Sequence, residues 1–91
     1  MARPKKQRNI QINPKVRVFR PEGIAPSSLT ENIEIGLDEL EALKLTNIDE
    51  LSQEETAELM GVSRQLVGLM LSNVRKKITT ALLEGKTLII E

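Results

Sequence analysis

The spacing of apolar residues along the chain changes from a period of about two to a helical period near Leu37. Before that point, the run VRVF at 16–19 is β-branched and aromatic, and Ile33 and Ile35 alternate with polar neighbours. Both patterns predict short strands. The run at 88–90 predicts a further strand, which pairs with 16–19 in the same chain or in a partner.

Three helices are predicted after the change of period. The first begins near Leu37 with acids in its first turn, where the helix dipole favours them. The second is short, because a capping box of Ser52 and Glu55 starts it and Gly61 ends it. The third begins at Ser63 and ends near Gly85. The first helix has an apolar stripe of Leu37, Leu40, Leu43 or Lys44, and Ile48, and the third has one of Val67, Met70, Leu71, Val74, Ile78, Ala81 and Leu82.

The stretch at about 52–72 carries the residue types of a DNA-binding helix-turn-helix at the required offsets. Ala57 allows two helices to cross closely, Gly61 supplies the tight turn, and Val67 and Met70 pack the second helix of the motif onto the first. The predicted fold is a mainly α, three-helix domain with a long recognition helix and short β segments near both ends. Residues 10–91 form this single domain, and 1–9 form a flexible basic arm. A small helical bundle with a similar glycine turn is the alternative.

With the apolar stripe facing the core, the N-terminal half of the third helix turns a polar side outward, toward the base edges of a major groove. An arginine can form two hydrogen bonds with the edge of guanine, and a glutamine can form two with the edge of adenine. The predicted base-reading residues are Arg64, Gln65, Gly68 and Leu69. Gly68 costs about 1 kcal/mol inside a helix, and close approach to DNA or a tolerated weak position both explain it. Leu69 contacts a thymine methyl or packs against Leu66 and the N-terminal segment.

Further contacts to phosphates or grooves are predicted from cations and hydroxyls near this surface. A solvated helix side is the alternative for the cations of the third helix, and a solubilising tail is the alternative for those of the arm. These residues are Ser63, Ser72, Arg75, Lys76, Lys77, Arg3, Lys5, Lys6 and Arg8.

Charge is segregated along the chain although the formal net charge is zero. Residues 1–20 carry seven cations and no acid, residues 21–50 carry eight acids and one lysine, and residues 51–91 balance five against five. A basic arm therefore precedes an acidic segment, which faces away from DNA as a solvated surface or receives a partner protein.

Composition excludes several functions. The chain has no cysteine and no histidine, so no thiolate metal site, disulfide or imidazole chemistry is possible, and we expect no enzyme, no metal and no cofactor. No apolar run reaches the length of a membrane span and no secretory signal is present, which predicts a cytoplasmic protein with no membrane partner. Phe19 is the one aromatic residue; a base-stacking platform for single strands is therefore hard to build. Duplex DNA is the predicted ligand, and Phe19 is expected in the core.

The chain resembles a family of small, largely uncharacterised bacterial and archaeal proteins that are predicted to bind DNA through a helix-turn-helix similar to region four of sigma factors. The resemblance covers most of the length and implies a regulator of transcription. Leu69 replaces a basic residue common in relatives, and Gln7 stands near the position where relatives often carry cysteine, so no metal or redox role is transferred. The matching segments are ARPKK, PKVRVF, PEGI, LDELEALKL, LSQEETAELMGVSRQ, RKK and LLEGKTL.

The predicted function is sequence-specific binding of duplex DNA as a transcriptional regulator. A single motif reads only a few base pairs, so we expect a homodimer through the end of the third helix and 88–90, with half-sites about 34 Å apart or a multiple of it. A protein-interaction module that docks the transcription machinery on its acidic surface, and a nonspecific architectural DNA binder, are the two alternatives.

Overall fold

The computed structural model describes residues 10–23 and 31–91, and its helices pack beside a small sheet. The predicted arm at 1–9 lies outside the described residues. In chain order the elements are β1 (Val18–Phe19), β2 (Asn32–Ile35), α1 (Leu37–Asn47), α2 (Gln53–Met60), α3 (Arg64–Glu84) and β3 (Thr87–Ile90).

The ends of α2 and α3 follow the capping signals read from the sequence. The Ser52 hydroxyl accepts from the Glu55 N–H at 3.0 Å, and the Glu55 carboxylate accepts from the Ser52 N–H at 2.9 Å. Gly61 then adopts a left-handed conformation with φ 70°. The Val62 N–H donates to the Ala57 carbonyl at 3.0 Å, which closes the helix end as in a Schellman motif. The predicted bounds of α2 are confirmed.

Helix α3 begins with the Ser63 hydroxyl accepting from the Leu66 N–H at 3.0 Å and ends at Gly85, which has φ 68°. Leu82, predicted within its apolar stripe, is instead 77% exposed. Fifteen positions after Val67, a turn of about 100° per residue leaves Leu82 about 60° away from the core-facing direction. The buried residues of α3 are Val67, Met70, Leu71, Val74 and Ala81.

Helix α1 buries a different face from the predicted one. Ala42 and Leu45 join the core cluster, whereas Ile48 is 73% exposed. The sequence interpretation selected the largest apolar side chains, but α1 packs against both α2 and α3, and the small Ala42 side chain allows close approach. The wrong face was therefore assigned to this helix.

The sheet has the order β1-β3-β2. Strand β3 pairs antiparallel with β1, with Val18 opposite Ile89, so the predicted pairing within the chain is confirmed. It also pairs parallel with β2, with Ile35 opposite Ile90. All three helices lie in the crossover between β2 and β3, as a parallel pair requires a long connection. This second pairing, which makes β3 the central strand, was not predicted.

Two side chains differ from their predicted surroundings. Phe19 was expected in the core but is 54% exposed, because it lies on β1, a two-residue edge strand whose residues are both exposed. Glu41 belongs to the acidic segment predicted to be solvated, yet it is 3% exposed. Its Oε1 atom accepts from the N–H groups of Gln11 and Ile12 at 3.3 and 3.1 Å. The Glu41 carboxylate thereby connects the backbone at residues 11–12 to α1.

Candidate nucleic-acid interface

The outward side of α3 forms one continuous strip. Arg64, Gln65, Leu69 and Ser72 are exposed in its N-terminal half, while Val67 and its buried neighbours hold the opposite side against the core. Since helical residues advance by about 100°, these four side chains and Lys76 project over an arc of about 140°. The structure therefore brings together the side chains that the sequence predicted on this surface.

The first turn of α3 presents two unsatisfied polar side chains. Within the described part of the chain, Arg64 and Gln65 make no side-chain hydrogen bond or ion pair. No acid lies in this first turn, so nothing on it neutralises the guanidinium or opposes an approaching phosphate. The N-terminal end of a helix also favours negative charge. Both side chains are available for an external ligand.

Gly68 is half-buried and lies beside the start of α2. A Cβ atom at this position would stand 3.3 Å from the Gln53 Oε1 atom. The contact is tighter than ordinary packing, but it involves the end of a flexible side chain. The close neighbour of Gly68 is therefore the first residue of α2, which the sequence interpretation did not consider.

Leu69 lies on the strip with 57% of its surface exposed. Leu66, by contrast, is half-buried and packs on the core cluster formed by α1, α2 and α3. Packing against described residues therefore leaves most of Leu69 open to solvent. An apolar side chain in the middle of a polar strip is suited to contact with an apolar group of a ligand, such as a thymine methyl.

The three cations in the C-terminal half of α3 have different surroundings. A terminal guanidinium nitrogen of Arg75 donates to the Asn47 Oδ1 atom at 3.1 Å, which holds the side chain against the end of α1. Lys76 is exposed and makes no side-chain contact of this kind with the described residues. The Lys77 Nζ atom lies 2.9 and 3.2 Å from the two carboxylate oxygens of Glu39. Lys77 thus lies off the strip.

Glu39 has two roles in the fold. Besides binding Lys77, its carboxylate accepts from the Gly36 N–H at 3.0 Å at the start of α1. The ion pair is partly shielded, with the Glu39 side chain only 12% exposed. Lys77 therefore links α3 to α1, and its positive charge is paired with the Glu39 carboxylate.

Two further described lysines are also paired inside the chain. Hydrogen bonding to the Asp49 carboxylate raises the pKa of Lys44, and hydrogen bonding to Glu31 and then Glu84 raises the pKa of Lys86. These lysines lie outside the strip. Among the described residues, the cations of α3 without a carboxylate partner are therefore Arg64, Arg75 and Lys76.

The two serines predicted as contacts differ in availability. The Ser63 hydroxyl oxygen caps α3, which leaves its O–H able to donate to a phosphate. Ser72 is exposed on the strip. The predicted arm contacts Arg3, Lys5, Lys6 and Arg8 lie outside the described residues.

Sequence reasoning did not identify the residues that support the strip. Asn47 and Glu39 of α1 each bind a side chain of α3, and the Gln53 side chain of α2 lies beside Gly68. Their partners are distant in sequence, and a polar residue at a helix end is ordinarily solvated. Only the packing of α1 and α2 against α3 reveals these contacts.

Comparison with known proteins identifies the family. The chain matches the model described as "Protein of unknown function DUF134" over residues 1–91, and it belongs to this family. A "UPF0251 protein" of Shewanella baltica is 46% identical over 88 residues, which cover 97% of this chain and 89% of the relative. Another, of Shewanella pealeana, is 42% identical over 90 residues, covering 99% and 93%.

A protein from another genus is also similar to the chain. The "UPF0251 protein" of Halothermothrix orenii is 41% identical over 91 residues, which span this whole chain and 67% of that relative. The resemblance to a bacterial family of uncharacterised proteins is therefore confirmed. No solved structure is significantly similar to the chain. In the two described ranges, no helix combines the length and apolar character needed to cross a bilayer.

Proposed function

We propose that this protein binds duplex DNA in a sequence-specific manner and regulates transcription. In this proposal α2 and α3 form a helix-turn-helix similar to region four of sigma factors, and α3 enters the major groove. The observation that carries the proposal is the outward strip of α3, which presents Arg64 and Gln65 without partners among the described residues and lacks acids in its first turn. Such a helix end suits a polyanion whose base edges offer paired acceptors and donors.

Each residue of the strip has a distinct role in the proposal. Arg64 donates two hydrogen bonds to guanine O6 and N7, and Gln65 pairs with adenine N6 and N7, each discriminating by about 1–3 kcal/mol. Leu69 contacts a thymine methyl. Arg75 and Lys76 contact phosphates, which position the helix without specifying sequence.

The supporting geometry suits this division of roles. The turn at Gly61 is fixed by a backbone hydrogen bond, and Ala57 and Met60 of α2 are buried against α3. The first turn of α3 is therefore held on a rigid base, which reduces the entropy lost when its side chains bind. Asn47 similarly restricts Arg75 before any phosphate is present.

Selection from a randomised duplex library, with purified protein at near-physiological salt, tests the proposal. We expect enrichment of a short motif that contains a guanine and a neighbouring adenine or thymine. If the folded protein enriches no motif but still binds DNA in a salt-sensitive way, the proposal of sequence-specific binding fails and nonspecific architectural binding is favoured. No DNA affinity at all would direct the search to a protein partner.

A matched pair of arginine variants then assigns the roles. Arg64→Ala should relax the preference at one base position of the selected site, whereas Arg75→Ala should weaken all sequences about equally. Both variants remove one arginine from the same helix, so their change in charge is identical. Equal loss of affinity without any change of base preference for Arg64→Ala would contradict base reading by Arg64.

A further inference from the structure

A shallow apolar groove lies at the C-terminal end of α3, away from the N-terminal half of this helix, which is proposed to read DNA bases and is called the reading half below. It has a volume of about 230 Å³, and its apolar lining includes Phe19, Pro21, Ala81, Leu82 and Leu88. Leu82 and Phe19 remain mostly exposed there, and the adjacent Leu83 is 81% exposed. We call this surface the end groove.

The exposed apolar area around the end groove is large for a small protein. Phe19, Leu82 and Leu83 together expose on the order of 400 Å², which is comparable with the largest apolar patch of a whole monomer. A stable interface buries about 800 Å² per partner, including a polar rim. Phe19 and Leu82 would therefore supply the apolar centre of such an interface, and Leu83, which is not in the groove lining, would lie at its edge.

Charges around the end groove favour a second copy over nucleic acid. Arg20 and Lys86 line it, while Glu84 and Glu31 bind Lys86 at 3.1 and 2.8 Å. The two acids would repel a polyanion. In a two-fold dimer, however, a surface with both signs is self-complementary, since Arg20 of each copy can face Glu84 of the other.

The direction of the end groove is also compatible with DNA binding. Leu83 lies eighteen positions after Gln65, which is five full turns and about 27 Å along the axis. Leu83 therefore points the same way as Gln65, and Leu82 the same way as Arg64, at the edge of the strip. The groove lies beyond Leu82 toward the sheet, so a partner docked there leaves the strip uncovered.

Strand addition at β3 is not available for such a contact. Both edges of β3 are already paired within the chain. The outer edge of the sheet at β1 has only two strand residues, too few for a strong backbone template. The dimer expected from the sequence through 88–90 therefore needs side chains rather than strand pairing.

We propose that the end groove binds the end groove of a second copy, with Leu82 of each protomer packed against Phe19 of the other. This rests on the proposed function for its biological use. The reading halves lie about 20 Å along α3 from Leu82, so two copies place them up to about 40 Å apart, and closer when the helices cross. That range includes the separation of about 34 Å between successive major-groove half-sites.

Sedimentation of the full chain across a wide range of micromolar concentrations tests the dimer. The wild type should dimerise, and Leu82→Glu should raise the dimer dissociation constant about tenfold or more, because it buries a charge at the centre of the interface. Ile48→Glu is the matched control, since Ile48, directly after α1, is similarly exposed. A monomeric wild type, or dissociation by Ile48→Glu and not by Leu82→Glu, would overturn the proposal.

A charge exchange provides a second measurement that does not perturb the apolar centre. Arg20→Glu and Glu84→Arg should each weaken the dimer, and the double variant should recover a large part of the loss. Additive losses in the double variant would contradict the facing of these residues.

The dimer and the proposed function fail in different ways. If the selected DNA motif is a single asymmetric half-site and the protein sediments as a monomer with and without that DNA, the dimer is refuted and DNA binding stands. If the protein dimerises through Leu82 but selects no motif, the end groove is supported and the proposed function fails.

Discussion

The carboxylate of Glu41 offers the sharpest test of the fold, because one buried oxygen accepts two backbone hydrogen bonds. Removing it in Glu41→Ala leaves the N–H groups of Gln11 and Ile12 without their partner. A buried unsatisfied donor costs about 1–3 kcal/mol. Gln11 is exposed and Ile12 half-buried, so water reaches one amide more easily, and we expect a total loss of about 2 kcal/mol.

Glu41→Gln separates the hydrogen bonds from the charge. Its side-chain oxygen can accept both N–H groups, and only the charge assistance, about half the strength of each bond, is lost. Removal of a buried charge also relieves desolvation, which offsets this loss. We therefore expect Glu41→Gln to change the free energy of unfolding by less than about 1 kcal/mol.

Urea unfolding and amide hydrogen exchange measure both effects. Glu41→Ala should lower the midpoint and accelerate exchange at Gln11 and Ile12, while Glu58→Ala, which removes an exposed glutamate of α2, should stay within about 0.5 kcal/mol of wild type. Unchanged exchange at the two amides in Glu41→Ala would refute the assigned contact. A loss in Glu41→Gln as large as in Glu41→Ala would show that charge, rather than hydrogen bonding, dominates.

Three further predictions concern α2 and α3. Lys76→Ala should lower the slope of the logarithm of DNA affinity against the logarithm of salt concentration by about one unit. Lys77→Ala should instead lower the free energy of unfolding by about 1 kcal/mol and leave that slope nearly unchanged. DNA titrations at several salt concentrations and urea unfolding measure the two effects, and a changed slope for Lys77→Ala but not for Lys76→Ala would contradict this assignment. Gly68→Ala should raise stability by up to about 1 kcal/mol because alanine favours the helix, yet weaken DNA binding if the helix approaches the bases closely; a gain in both would exclude that close approach. Thr56 is fully buried and its hydroxyl finds no partner among the described residues, so Thr56→Val should stabilise the protein by about 1 kcal/mol in thermal unfolding, and destabilisation would indicate a partner, such as water, for that hydroxyl.

Local signals in the sequence were sufficient to predict the helices. The Ser52 and Glu55 capping box and the glycines at 61 and 85 each act within a few residues, so α2 and α3 end where these signals indicate. Two short β-type runs also predicted the pairing of 16–19 with 88–90, in the same chain or in a partner, and the structure shows it within the chain. Parallel pairing of β2 with β3 was not predicted, because it depends on how three helices fold between them.

The mistaken residues share a physical cause, which is that size and polarity were used as a guide to burial. Phe19 and Leu82 are large and apolar but are exposed, one on a two-residue edge strand and the other near the end of α3. Glu41 is charged but receives two backbone donors that no local pattern announces. The strip of α3 was predictable because its periodicity is local, whereas its supports at Asn47 and Glu39 arise from packing between helices.

Residues of α3 that either weaken the helix or expose apolar surface occur in both halves of the helix, and each half has its own proposed partner. Gly68 weakens the helix and Leu69 exposes apolar surface in the reading half, while Leu82 and Leu83 expose more surface at the other end. None of these residues adds to the core, which Val67 and Val74 fill from the opposite side. Natural sequences tolerate such inconsistencies chiefly at functional sites. Because the two groups are separated by several helical turns, the proposed DNA reading and the proposed self-association should respond to substitutions independently of each other.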